Sequence, residues 1–278
     1  MNSNSLLPSH SKSEARYRQE ICAVGKSLYE RGFIVACEGN LSIRLDDDRV
    51  LTTPTCMNKG MLEPHDLVIT NLHGQQLTGT RKVSSELAMH LLFYRMRPDV
   101  QAICHAHPPT ATGFAAAGRA LDKALLPEVI IGLGKIPLVR YATPGTPELS
   151  QALEPFVPHY DALLLANHGA VTCGPDLLTA FFRMETIEHF AKILLAAERA
   201  GDPVLLSGRE VAKLMAARSR YSVTPPPGGG AELPETSDTS GSSSEQVSLT
   251  RSELDALIDE AVRKDRARRG PVRSSFRG

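Results

Sequence analysis

Val100-Gln101-Ala102-Ile103-Cys104-His105-Ala106-His107 is the stretch that decides how this chain is read. Its apolar first half reads as a buried strand running straight into a His-x-His pair. Residues i and i+2 of a strand point to the same face, so both imidazoles aim at one point. Cys104, just before His105, faces the other way. A second apolar strand, Ala162-Leu163-Leu164-Leu165-Ala166, leads into Asn167-His168-Gly169. Three imidazoles at strand ends make a tetrahedral zinc site with one open position, the arrangement of a catalytic metal. Three unrelated histidines is the competing reading, because short motifs match by chance. The sequence around them argues against chance.

Working outward, Ala15 to Gly32 has helical apolar spacing and stops at a glycine. Asn40 to Arg44 and Arg49 to Thr53 read as strands about the turn Asp46-Asp47-Asp48. Leu67 to Thr70 is a further strand, ended by a turn at Asn71 to Gly74. Ser84 to Met96, Leu178 to Gly201 and Ser207 to Ser219 read as helices. Helices before, between and after strands predict an α/β class with a central sheet covered on both faces.

The whole chain sets bounds on function. It has 278 residues, 31 basic against 31 acidic, so zero formal net charge. That balance gives the body no reason to bind nucleic acid or an anionic membrane. No apolar run approaches a membrane span, and Met1 to Ser13 lacks the apolar core of a secretory signal. The five scattered cysteines suit small buried residues of a reducing, cytoplasmic compartment. The organisation expected is a polar leader (1–13), a mixed body (14–222), a Pro/Gly/Ser-rich disordered linker (223–248) and a short amphipathic helix (249–269).

Glu86 follows Ser84 and Ser85 in the first turn expected of a helix. Plain helix capping accounts for such an acid, but this helix leads directly into the strand of His105 and His107, which can place the carboxylate beside a metal. With Glu38-Gly39-Asn40-Leu41-Ser42, Thr52-Thr53-Pro54-Thr55, Tyr141-Ala142-Thr143-Pro144-Gly145-Thr146 and the histidine motifs, the body resembles the class II aldolase/adducin-head family. The resemblance runs from about residue 14 to 221. It implies a three-layer α/β/α sandwich around a largely antiparallel sheet, a homotetramer, and an active site at the subunit interface. His105, His107 and His168 would bind Zn2+. Glu86 would be the acid/base and would join the metal when substrate is absent. Gly39, Asn40, Thr55, Cys56, Ser84 and Ser85 would hold the substrate phosphate, a set of hydroxyls, an amide and backbone N–H groups that suits an anion. Tyr221 matches a family tyrosine that reaches a neighbouring subunit's site.

The chain departs from the family at two of these places. Cys56 stands where the phosphate loop commonly has glycine, and Glu128 stands near the family's other interface tyrosine. Lys59 could add charge for the phosphate, although an isolated loop lysine is more often solvated. His90, one turn after Glu86, reads as a packed or surface helix residue. The resemblance implies reversible cleavage of a (deoxy)ketose 1-phosphate, such as L-fuculose 1-phosphate, to dihydroxyacetone phosphate and an aldehyde such as lactaldehyde. A sugar-phosphate dehydratase or epimerase of the same family is the first rival. Epimerases of this fold usually carry aspartate after the paired serines, so Glu86 favours the aldolase. An adducin-like non-catalytic interaction module is the second rival, and retention of all three histidines argues against it.

In the tail, Thr250 and Glu253 form a capping box, and Leu254, Leu257, Ile258 and Ala261 share a face. Linker plus short helix resembles the encapsulation peptides of enzymes packed in bacterial microcompartments. Its implied partner is a shell or luminal protein.

Overall fold

The computed structural model describes residues 12–221, 223–228 and 233–238. The His-x-His strand, β5 (Ala102–Ala106), lies inside an eight-stranded sheet of order β4-β3-β2-β1-β5-β8-β7-β6. The other strands are β1 (Asn40–Arg44), β2 (Arg49–Thr52), β3 (Val68–Asn71), β4 (Gln76–Thr78), β6 (Leu138–Val139), β7 (Ala162–Leu165) and β8 (Gly169–Gly174). Every pairing is antiparallel except β6 with β7. Register fixes the site: His105 stands opposite Asn40 on one side and Val171 on the other. A one-residue slip would turn the histidines to the opposite face.

Two apolar clusters sandwich the sheet. On one face lie α1 (Glu14–Glu30), α3 (Pro109–Ala116) and α6 (Leu177–Ala200), packed on Leu41, Ile43, Cys104 and Leu164. On the other lie α2 (Leu87–Met96) and α5 (Pro147–Leu153), packed on Val50, Ile103, Leu163 and Val171. Strand alternation thus sends Cys104 and Ile103 to opposite layers. Ile103 is fully buried, and cutting it to alanine would cost about 2–5 kcal/mol. The expected three-layer α/β/α sandwich is the fold observed. A small third cluster joins Ala124 and Ile130 of α4 (Pro127–Gly132) and its approach to Val211 of α7 (Gly208–Ala217).

Three local expectations change. The helix expected from Ser84 begins at Leu87, with Glu86 as its N-cap. β8 was not expected from its small residues; it pairs with both β5 and β7 and makes the turn at His168 a tight hairpin. The expected linker does not start at Val223. Gly228 N–H donates to Pro158 O at 3.0 Å. Glu235 forms a parallel bridge with Lys123, its N–H donating to Asp122 O and its C=O accepting from Ala124 N–H. Lys123 Nζ lies 2.6 Å from the Glu235 carboxylate, and Thr236 is buried. Proline and glycine composition hid a segment whose backbone groups find partners on the body. Residues 229–232, the rest of the linker and the helix expected over 249–269 lie outside the described residues.

Candidate metal centre

His105 is fully buried in β5, and its Nδ1 donates to Ala170 O at 2.9 Å. That bond selects the tautomer whose Nε2 lone pair points into the site. His107 leaves the strand end; its Nδ1 lies 3.2 Å from Glu38 Oε2, which turns its Nε2 inward likewise. The two Nε2 atoms stand 3.2 Å apart. His168 sits in the β7–β8 turn, after Asn167 at φ 56°. One ligand atom from each of the three imidazoles falls within 4.8 Å of the others.

Two glycines let these pieces meet. Gly39 has φ 66°, and a Cβ there would fall 2.8 Å from His105 O. A Cβ on Gly169 would lie 2.5 Å from the His107 ring. Neither position admits a side chain without moving a ligand.

Glu86 completes the cluster. As N-cap its side chain makes no bond to the helix, so capping does not explain it. Its Oε2 accepts from Asn40 Nδ2 at 2.8 Å and lies 3.4 Å from His105 Nε2. Its Oε1 lies 3.2 Å from His168 Nε2, yet is buried without a hydrogen-bond partner, as is His168 Nδ1. Burial alone would raise the Glu86 pKa; the His105 and His168 imidazoles and the Asn40 amide outweigh it and hold the group well below the usual carboxylate range. Burial, then the neighbouring His105, pushes His168 down to about 4, and burial with His105 and His168 pushes His107 to about 4. His105 is also pulled down by burial, but Glu86 and the Ala170 carbonyl raise it overall.

Tautomers and distances together test whether a cation fits. The outer nitrogens of His105 and His107 are engaged by Ala170 and Glu38, so two lone pairs confront each other at 3.2 Å. A cation bound between them relieves that repulsion, as does the proton that Glu86 favours on His105 when no cation is bound. Imidazoles oriented by a carbonyl and a carboxylate are the usual outer support of a metal site. The residues fit a divalent cation held by His105, His107 and His168, with Glu86 at hand.

The expected phosphate residues lie on loops that adjoin. Leu41 N–H donates to Thr53 Oγ1 at 3.1 Å, tying the Gly39–Asn40 turn to the Thr53–Cys56 loop. Thr55 N–H donates to Lys82 O at 3.0 Å, tying that loop to Ser84 and Ser85. Ser85 is exposed and Ser84 buried. Cys56 is exposed and takes φ 56°, so it adopts the left-handed backbone that glycine adopts freely. Lys59 corrects the solvated-lysine reading. It is 2% exposed, and its Nζ donates to Cys37 O at 2.6 Å and Met57 O at 2.9 Å. The ammonium braces these two loops from beneath. Burial lowers its pKa, opposed by Cys37, Cys56 and Glu86.

Glu128 and Tyr221 do not join the cluster. Glu128 is exposed in the first turn of α4. Tyr221 ends a 3-10 turn (Arg218–Tyr221) and is 63% exposed. Arg218 anchors that turn to Ile130 O and Ile131 O, so both residues ride on one small unit. Sequence reasoning assigned no role to Glu38, Ser42 or Tyr94, although Glu38 heads the quoted Glu-Gly-Asn motif. Its adjacency to the Gly39 turn was the available signal.

The comparisons agree with this geometry. The profile of the class II aldolase and adducin N-terminal domain matches residues 19–195. A 3-oxo-tetronate 4-phosphate decarboxylase of Pectobacterium atrosepticum is 37% identical over 187 residues, 66% of this chain and 85% of that protein. A 5-deoxy-D-ribulose 1-phosphate aldolase of Bacillus thuringiensis serovar kurstaki is 36% identical over 201 residues, 71% of this chain and 92% of that one. A solved L-fuculose 1-phosphate aldolase superposes with TM-score 0.69 at 32% identity, covering 77% of this chain and 99% of that one. The chain belongs to the class II aldolase family, whose members are metal-dependent.

Proposed function

We propose that this family member is a zinc-dependent lyase that breaks the bond between the carbons α and β to the carbonyl of a short phosphorylated sugar. The substrate favoured is a (deoxy)ketose 1-phosphate such as L-fuculose 1-phosphate, giving dihydroxyacetone phosphate and lactaldehyde. The observation that carries this reading is the Glu86 carboxylate, buried without a helix bond beside three inward-facing imidazoles.

Held by His105, His107 and His168, a zinc ion supplies Lewis acidity toward the substrate carbonyl. The chain's own residues do the rest. Gly39, Asn40, Thr55, Cys56, Ser84 and Ser85 offer the phosphate N–H and O–H donors. Cleavage leaves the bonding electron pair on the carbon next to the carbonyl, as an enediolate. Glu86 takes up a proton from water and passes it through Oε1 to this carbon. Glu128 and Tyr221, exposed on the same unit, would serve the site of a neighbouring protomer in a homotetramer. They would take the proton of the hydroxyl that becomes the aldehyde.

A second reading is favoured by the similarity to the decarboxylase. In a 3-oxo-tetronate 4-phosphate the same phosphate, carbonyl and hydroxyl-bearing carbon are present, and the departing group is CO2. The same enediolate results, and protonation by Glu86 gives dihydroxyacetone phosphate again. Only aldol cleavage needs a base for the departing fragment. The metal-loaded protein should therefore be offered ketose 1-phosphates and 3-oxo-tetronate 4-phosphate in parallel. Dihydroxyacetone phosphate with aldehyde supports the first reading, and with CO2 the second. No product from any of them would refute both.

The protein is proposed to act in the cytoplasm, free or inside a microcompartment, with a shell or luminal protein bound through residues 249–269. No described helix is long and apolar enough to cross a membrane. Leu254→Asp with Ile258→Asp should abolish co-purification with shells and leave turnover intact.

A further inference from the structure

Behind Glu86 runs a chain of buried polar groups with one defined direction. Asn40 and Ser42 share a face of β1, two residues apart. Glu86, His90 and Tyr94 share a face of the first turns of α2, four residues apart. The two rows interlock. Asn40 Nδ2 donates to Glu86 Oε2 at 2.8 Å, which leaves Asn40 Oδ1 as an acceptor. His90 Nε2 lies 2.5 Å from that oxygen and must donate to it. His90 Nδ1 therefore carries a lone pair, which faces Ser42 Oγ at 2.6 Å. Ser42 donates there and accepts from Tyr94 OH at 2.7 Å. Ser42, His90 and Tyr94 are each no more than 2% exposed and Asn40 only 4%.

Every donor in this chain points toward Glu86. It cannot be a proton wire, because the Asn40 amide does not hand a proton on. Its effect is orientational: Oε2 is fixed, while Oε1 stays without a hydrogen bond. Burial also keeps His90 neutral, its pKa pushed down to about 3, so one tautomer suffices to define the chain.

We propose that His90 is a positioning residue: held in its Nε2–H tautomer by Ser42, it locks the Asn40 amide and thereby presents Glu86 Oε1 as the proton-carrying oxygen. This deepens the lyase reading and rests on Glu86 as its acid/base. It also distinguishes His90 from a packing residue, since a packed side chain of equal size would not set the amide's direction.

Three variants test it. His90→Leu removes the donor, His90→Gln restores an amide donor, and Ser42→Ala removes the tautomer lock at a distance from the cluster. Loss of such outer support typically costs about 10–100-fold. His90→Leu should lose that much in kcat, with KM within about threefold and metal content unchanged. His90→Gln should recover most of it, and Ser42→Ala should fall between. Nitrogen-15 shifts of the zinc-loaded wild type should show His90 as Nε2–H, and Ser42→Ala should show a tautomer mixture. A folded, metal-replete His90→Leu with wild-type kcat would overturn the proposal, as would a His90→Gln no better than leucine. Should His90→Leu fail to fold, Ser42→Ala decides by the same two readouts. If the wild type cleaves none of the candidate sugars, the lyase reading falls; an Nδ1–H His90 in the wild type overturns the positioning proposal by itself.

Discussion

The histidine cluster and the α4–α7 unit hold the residues expected at the site in opposite ways. His105, His107, His168 and Glu86 meet inside one chain, fixed by strand register, a hairpin turn and a helix N-cap. Glu128 and Tyr221 stand exposed on α4 and on the turn that Arg218 anchors to it, while Val129 and Leu133 hold α4 to the main apolar cluster. The first region is complete within the chain, and the second presents its groups outward. Chemistry that must survive every conformational fluctuation is placed in the sheet. The groups proposed to act on the departing fragment are placed at an exposed rim.

The sharpest break of that contrast is His105→Ala, or the same change at His107 or His168. Each should abolish metal binding and turnover together, and full metal content in His168→Ala would show the ligand set to be wrong. Glu86→Gln should retain fold and metal but lose about 10²–10⁴-fold in turnover; near-normal exchange of the C3 proton of dihydroxyacetone phosphate would remove Glu86 from its role. Glu128→Gln with Tyr221→Phe should cost about 10²-fold in aldol cleavage, the low end for a general base, without altering metal content. A chain ended at Tyr221 should be destabilised by about 2 kcal/mol, because it loses the backbone bonds and ion pair of Glu235. Equal melting midpoints for chains ended at Tyr221 and at Asp238 would show that the 223–237 segment adds nothing. Cys56→Gly should change least, with a stability gain below about 1 kcal/mol as a left-handed side-chain residue is replaced. A drop in melting temperature there would mean that the thiol has a packing role.

The sequence disclosed the regions unequally, for physical reasons. The His-x-His strand was legible because alternation dictates side-chain direction once a strand is granted. The helix boundary at Glu86 was misplaced by three residues because Ser-Ser-Glu satisfies capping rules that the folded carboxylate does not obey. β8 was silent: Gly-Ala-Val-Thr-Cys-Gly is too small and too short of bulky apolar residues to announce a central strand. Lys59 read as solvated because local sequence cannot show that Cys37 and Met57 carbonyls converge on it. The segment after Val223 read as free for the same reason, since its partners at Lys123, Pro158 and Leu206 are distant in sequence. The family resemblance supplied Tyr221 and Glu128 as site residues; the structure places both outward, away from the histidine cluster.

The register of β5 has a practical corollary. His105 is fixed by pairing to both β1 and β8, and Glu86 and His168 arrive from other elements. A molecule whose strands are mispaired by one residue would stay compact and apolar inside, yet could assemble no cation site. Metal affinity is then gained only by correctly threaded molecules, and bound metal draws the population toward them. The stoichiometry of metal to polypeptide in a purified batch becomes an assay of conformational homogeneity, readable before any substrate is in hand.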